Sequence, residues 1–154
     1  MGLWILVFVF FAFLNLWIFL IRKRLTKMEI YATSVFAIFF GLITDVILDL
    51  HYNIYGYFDK GFQWKKLLAI FMYFPATNLL FLNYFPFNKN RLKKLSYLLF
   101  WTLFSITFEW FSRKTYFFYY NGWKLWYSTL LYPFIFLILL INLKFIQRIN
   151  NRGS

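Results

Sequence analysis

The chain has 154 residues, of which 62% are hydrophobic, 28% aromatic and only 14% charged, and its mean hydropathy is +0.60. A water-soluble domain carries about 25% charged residues and could not bury 24 Phe, 12 Tyr and 7 Trp in one core of this length, so a soluble fold is excluded and lipid must cover the surplus. The net charge of +12 would point to nucleic acid in a soluble protein; here the bases stand in short clusters between apolar runs, where they meet lipid headgroups and fix orientation.

The apolar runs predict an all-α integral membrane bundle of five transmembrane helices in a single domain over residues 1–152, with helices at about 3–21, 31–50, 67–84, 95–112 and 126–146. Each run is long enough, at 1.5 Å rise per residue, for a hydrocarbon core of roughly 30 Å. The first is followed, not preceded, by the basic cluster Arg22, Lys23, Arg24, Lys27, which argues for an uncleaved anchor over a signal peptide. In the third, Pro75 lies mid-span and frees a carbonyl that Thr77, Asn78 or a neighbouring helix must satisfy. The final Gly153-Ser154 reads as a remnant of cloning outside the domain.

Counting bases sets the orientation. The segments after helices 1, 3 and 5 hold eleven Lys and Arg, including Lys89, Arg91, Lys93, Lys94, Lys144, Arg148 and Arg152. The opposite side holds six: Lys60, Lys65, Lys66, Arg113, Lys114 and Lys124. The positive-inside rule then puts the N terminus outside and the C terminus in the cytoplasm. The two outer loops, residues 51–64 and 116–127, are packed with Tyr, Trp and Phe, a composition suited to the headgroup layer.

Chemistry should sit where charge is expensive. Glu29 lies at the inner boundary and Asp59 in an outer loop, whereas Asp45, Asp49 and Glu109 fall inside helices. There a charge costs roughly 2.5 to 3.5 kcal/mol at mid-membrane and calls for a partner or a wet cavity. Asp45 and Glu109 are each 14 residues from the inner start of their helix, so both lie about 21 Å in, at one level. Asp49 stands one turn beyond Asp45, next to His51 at the water boundary.

Helix faces agree. Ala37, Gly41, Asp45 and Asp49 form one stripe; Thr102, Ser105, Glu109, Ser112 and Arg113 form another; Ser128 and Tyr132 occupy the outer half of helix 5. The expected site is a polar pocket of Asp45, Asp49, Glu109, Ser105, Arg113, Ser128 and Tyr132 between helices 2, 4 and 5, with His51 and Asn78 as secondary candidates. Arg113 and Lys114, one turn from Glu109, offer it an ion pair, in which case the acid is a strut. Asn78, Asn83 and Asn142 read first as interhelical hydrogen bonds, and His51 as an interfacial side chain. Helix 1, with only Asn15 as an uncharged polar residue, should be the most lipid-exposed.

With no Cys and one His, thiolate and zinc-thiolate chemistry are excluded, and neither a metal nor a cofactor is expected. Asp45-x-x-x-Asp49 has the spacing of the metal-binding carboxylates of intramembrane prenyl and alcohol-phosphate transferases but lacks their second acidic motif. No phosphate loop and no G-x-S-x-G is present.

The run from Phe74-Pro75-Ala76-Thr77-Asn78 through Leu82, with Tyr84 and Pro86, then Tyr97, Trp101 and Glu109, then Asn121-Gly122-Trp123 with Trp126 and Ser128, carries a resemblance. In order and spacing it resembles a family of small multi-pass membrane proteins from spore-forming Gram-positive bacteria, named after a clostridial locus, over residues 28–143. The resemblance implies a multi-pass protein of the bacterial cytoplasmic (cell) membrane, supports Glu109 as a site residue, and transfers no activity.

Three function classes stay open: a non-catalytic accessory or assembly component with an outward-facing polar pocket; a proton- or cation-linked transporter or channel subunit; and an intramembrane lipid- or isoprenoid-modifying enzyme using Glu109 or Asp45. The expected partners are membrane lipids and another membrane protein or a second copy of the chain, with no nucleic acid.

Overall fold

In the computed structural model, which describes residues 2–58 and 64–152, five α-helices follow one another: α1 Ile5–Leu20, α2 Lys27–Asp45, α3 Trp64–Tyr84, α4 Arg91–Lys114 and α5 Leu125–Arg152. The expectations for Asp59, Lys60 and Gly153-Ser154 concern residues outside those described. Local chemistry sets the helix starts. Thr26 and Glu29 form a reciprocal capping box, Thr26 N–H donating to Glu29 Oε2 at 2.7 Å, so α2 begins at Lys27, four residues before the apolar run. Asn90 Oδ1 accepts from Lys93 N–H at 3.0 Å and starts α4 at Arg91, again ahead of the run. Glu29, placed by the sequence at the inner boundary, serves there as a cap.

Three stretches, Lys27–His51, Trp64–Tyr84 and Leu125–Asn150, are long and apolar enough to cross a membrane. The sequence reading expects five such stretches, and the other two helices differ for separate reasons. α1 is apolar throughout but only 16 residues long, because the backbone turns extended at Ile21 ahead of the basic cluster. α4 has the length, with 24 residues, but its bases at both ends and its stripe of Thr102, Ser105, Glu109 and Ser112 lower its hydropathy.

Packing differs between the two ends of the bundle. At the end bearing the α3–α4 connection, Phe81 is wholly buried against the rings of Tyr97, Trp101 and Phe136, at centroid distances of 5.6, 5.8 and 4.6 Å. Asn83 ties this end together: its Oδ1 accepts from Arg24 N–H at 2.6 Å and its Nδ2 donates to Arg22 O at 3.4 Å, linking α3 to the α1–α2 turn. α1 is the most exposed of the five helices, as its sequence expects, and it packs along a single stripe. Val7, Phe11, Leu14 and Ile18 form a helical stripe that is buried, while Val9, Phe13, Leu16 and Phe19 face outward. Its Asn15 donates to Met72 O at 3.0 Å, and Thr77 Oγ1 donates to Tyr73 O at 2.5 Å. The carbonyl freed by the missing Pro75 N–H is Phe71 O, and these two bonds hold the two carbonyls that follow it instead.

Two features have no counterpart in the sequence reading. The last turns of the Lys27–His51 stretch, Val46–His51, are π-helical. The aromatic segments also pair as a two-stranded antiparallel hairpin, β1 Tyr55–Tyr57 with β2 Phe118–Tyr120, in the register Tyr55 to Tyr120 and Tyr57 to Phe118. Gly56 is required there by close approach: a Cβ would stand 2.5 Å from Tyr119 Oη and 2.7 Å from Asp49 Oδ1. Asn121 and Trp123 both donate their N–H groups to Ile54 O, at 2.8 and 3.1 Å, across a turn in which Gly122 takes φ +106°. The Asn-Gly-Trp triplet is thus a clasp between the two aromatic segments.

Candidate functional site

Beneath the hairpin lies a cavity of about 200 Å³, lined by α2, α3, α4 and α5 together with both strands. Its body is apolar, with Phe40, Phe74, Ile135, Phe136 and Leu139. Its roof, toward the hairpin, carries Asp45, Glu109, Ser112, Ser128, Tyr55 and Tyr132. Gly41 narrows the gap between α2 and α3, since a Cβ there would meet the Phe74 ring at 2.4 Å. The small-residue stripe of α2 therefore opposes α3.

Glu109 is buried and is held entirely by hydroxyl donors. Ser128 donates to Oε1 at 2.8 Å and Tyr132 to Oε2 at 2.6 Å, and Tyr120 of β2 makes a close bond to Oε1. Ser128 in turn accepts from Trp123 Nε1 at 2.9 Å, so the clasp is wired to the carboxylate. Asp45, buried on the facing wall, accepts from Tyr55 at 2.8 Å and from Tyr57 at 3.4 Å, both through Oδ1. Tyr55 and Tyr57 reach one carboxylate because residues two apart in a strand share a face. Among the described residues no hydrogen bond joins Asp45 to Glu109.

Burial, then the Asp45 charge, pushes the Tyr55 hydroxyl well above its ordinary value, and the same two causes raise Tyr57. Tyr120 is raised by burial and then by its hydrogen bond to Glu109. All three stay protonated at neutral pH and remain donors to the two acids.

Several buried polar atoms of the cavity have no protein partner: Asp45 Oδ2, Ser112 Oγ, and both Oδ1 and Nδ2 of Asn78, whose residue is 1% exposed. A buried unpaired amide costs about 1 to 3 kcal/mol, so Asn78 marks a place kept polar against the interest of packing. The expectation that Asn78, Asn83 and Asn142 make interhelical hydrogen bonds is corrected: Asn83 bonds to the backbone of the α1–α2 turn, while Asn78 and Asn142 Nδ2 find no protein partner.

Of the residues expected in the pocket, Asp45, Ser105, Glu109, Ser128 and Tyr132 line this cavity, and Asn78 joins them from α3, a wall the sequence reading omits. Asp49 does not line it. It is buried in an ion pair with Lys66, whose Nζ lies 2.5 Å from Oδ2, with side-chain exposures of 4% and 9%. The reason is the π-helical segment: in its wider turn four residues fall short of a full revolution, so Asp49 no longer stacks over Asp45.

Arg113 does not enter the pocket either. It is exposed, its guanidinium carbon 4.0 Å from the centroid of the Tyr120 ring, because at the last turn of α4 the long side chain can reach water. Glu109 is therefore held by hydroxyls where the ion-pair strut calls for a base. His51 is exposed and meets the Tyr52 ring edge-on, at a centroid distance of 4.7 Å. Tyr55, Tyr57 and Tyr120 escaped sequence reasoning. Their signal was the period-two spacing of Tyr55-x-Tyr57 and Phe118-x-Tyr120 inside segments otherwise readable as membrane anchors.

Comparison with family models, with curated proteins and with solved structures finds no match for this chain.

Proposed function

We propose that this chain is a non-catalytic accessory protein of the bacterial cytoplasmic membrane, of the clostridial-locus type it resembles. It crosses the bilayer five times, with its N terminus outside and C terminus in the cytoplasm, and holds the donor-bearing polar end of an amphiphile under the aromatic hairpin. The single observation that carries this reading is the cavity of about 200 Å³, whose apolar body ends at its roof in Asp45 Oδ2, a carboxylate oxygen without a protein partner. No Lys or Arg is among its described lining residues, where two acids face the cavity. A ligand offering a hydroxyl or ammonium group to that roof and a hydrocarbon chain to the floor meets both requirements. Binding is favoured over catalysis because both oxygens of Glu109 are occupied by fixed hydroxyl donors, leaving an anchoring acceptor and not a group free to pass protons.

Five spans are supported by the antiparallel succession of the helices and by α4, whose 24 residues reach about 36 Å. The orientation is supported by the eleven bases in the sequence segments after helices 1, 3 and 5 against six in the others. A C-terminal reporter active only in the cytoplasm should light up, and one active only outside should stay silent; the reverse would overturn the orientation. For the ligand, protein extracted with its native lipids should carry a stoichiometric adduct in native mass spectrometry. Ser105→Leu, which fills the cavity, should lose that adduct while the bundle stays folded. Absence of an adduct from the folded wild-type protein would overturn the binding reading. A second reading, a cation-linked carrier, is favoured by the same pair of carboxylates; acid-dependent flux in proteoliposomes, abolished by Asp45→Asn, would select it instead.

A further inference from the structure

A second recess of about 610 Å³ opens at the hairpin end, outside the cavity described above, between the N termini of α1 and α3 and the C terminus of α4. Three cations line it, Lys65, Arg113 and Lys114, and no Asp or Glu is among its described lining residues. Each cation sits over an aromatic ring: Lys65 Nζ 4.6 Å from the centroid of Trp4, Arg113 over Tyr120 at 4.0 Å, Lys114 Nζ 5.9 Å from Trp110. Rings orient a cation without neutralising it, so three positive charges converge on one recess with their charge intact. The rim is also strained. Phe58 and Tyr116, both lining it, take φ values of 54° and 58°, a backbone region that bulky side chains rarely adopt and that clusters at functional positions.

What lies below the recess fixes the kind of partner. Leu99, Leu103, Trp110 and Lys114 recur at helical spacing along one face of α4, and Leu99, Leu103 and Trp110 are 57%, 64% and 50% exposed. A charged recess thus caps an open apolar strip on the same helix face. A soluble anion would use only the recess, and a nucleic acid would have no use for the strip. We propose that this recess is a binding site for an anionic phospholipid, its phosphate held by Lys65, Arg113 and Lys114 and its acyl chains laid along the Leu99–Leu103–Trp110 face of α4. The inference is independent of the cavity and of its ligand.

The test uses the full-length protein in neutral detergent, titrated separately with phosphatidylglycerol, phosphatidylcholine of the same chains, and inorganic phosphate. Retained lipid is counted by native mass spectrometry. One phosphatidylglycerol should be retained at least fivefold more than phosphatidylcholine, and millimolar inorganic phosphate should not displace it. The triple variant Lys65→Gln, Arg113→Gln, Lys114→Gln should lose that preference. The matched triple at the other end, Lys89→Gln, Lys93→Gln, Lys94→Gln, should keep it. The charge-preserving triple Lys65→Arg, Arg113→Lys, Lys114→Arg should also keep it, which guards against a variant that merely unfolds. Equal loss in both Gln triples would reduce the effect to bulk charge and overturn the site. Displacement by inorganic phosphate would overturn the lipid assignment. Loss of the Ser105→Leu adduct with phosphatidylglycerol retained would separate the two sites.

Discussion

Asp45 and Asp49 are four residues apart on one continuous span, yet the structure treats them in opposite ways. Asp49 meets Lys66 and is finished: two buried charges cancel, the π-helical segment is fastened to α3, and neither group faces the cavity. Asp45 and, across from it, Glu109 are met by hydroxyls alone, and Asp45 keeps one oxygen without a protein partner. The contrast separates a joint from a receptacle. A carboxylate matched by a base has been used for structure, whereas one matched by neutral donors with an oxygen to spare still offers a hydrogen-bonding site to whatever enters beside it.

The largest effect should come from breaking the joint. Lys66→Met leaves Asp49 buried and unpaired and should cost about 3 to 5 kcal/mol in detergent unfolding, most of it recovered by adding Asp49→Leu. A cost below about 1 kcal/mol would mean that the pair is solvated and that the contrast fails on this side. Next comes Glu109→Gln, which keeps shape but loses charge-assisted hydrogen bonds; we expect a loss of about 1.5 to 3 kcal/mol with the bundle still folded and the amphiphile adduct gone. Retention of the adduct at the wild-type level would make the hydroxyl-held acid a joint as well. Asn78→Leu should work in the other direction, raising stability by about 1 to 3 kcal/mol while lowering adduct occupancy, because it removes an unpaired buried amide from the cavity wall.

The smallest effect is one of pH. Tyr55, Tyr57 and Tyr120 have hydroxyl pKa values raised by folding, so their contribution is fully present below the unfolded value of about 10 and is lost as pH climbs above it. Unfolding midpoints should stay level from neutral pH to about 9 and fall beyond 10, with a shallower fall in Tyr55→Phe. A decline beginning near neutrality would assign the pH response to other groups.

How far the sequence could be read depended on the kind of signal. Five helical segments and the burial of Asp45 and Glu109 are legible because a charge inside an apolar run stands out against its surroundings, whatever the neighbours. The hairpin is not, since Tyr, Trp and Phe near a helix end serve a headgroup layer as well as a strand, and only the alternation in Tyr55-x-Tyr57 hints otherwise. Lys66 reads as a boundary base because it stands at a helix start; its burial follows from the π-helical segment, which no Pro or Gly announces. Arg113 shows the reverse error: helical spacing puts it one turn from Glu109, but a side chain that long at a helix end is governed by access to water.

The hairpin has a further consequence for how the chain holds together. Its first strand belongs to the part of the sequence before the 85–90 connection and its second to the part after it, and Asn121 and Trp123 add bonds to Ile54 across the same divide. The three N-terminal helices and the two C-terminal ones are thus knit by main-chain hydrogen bonds at the end farthest from their covalent link. Continuity at 85–90 is only one of two tethers, and fragments 1–87 and 88–154 made as separate polypeptides retain the other as a means of finding each other.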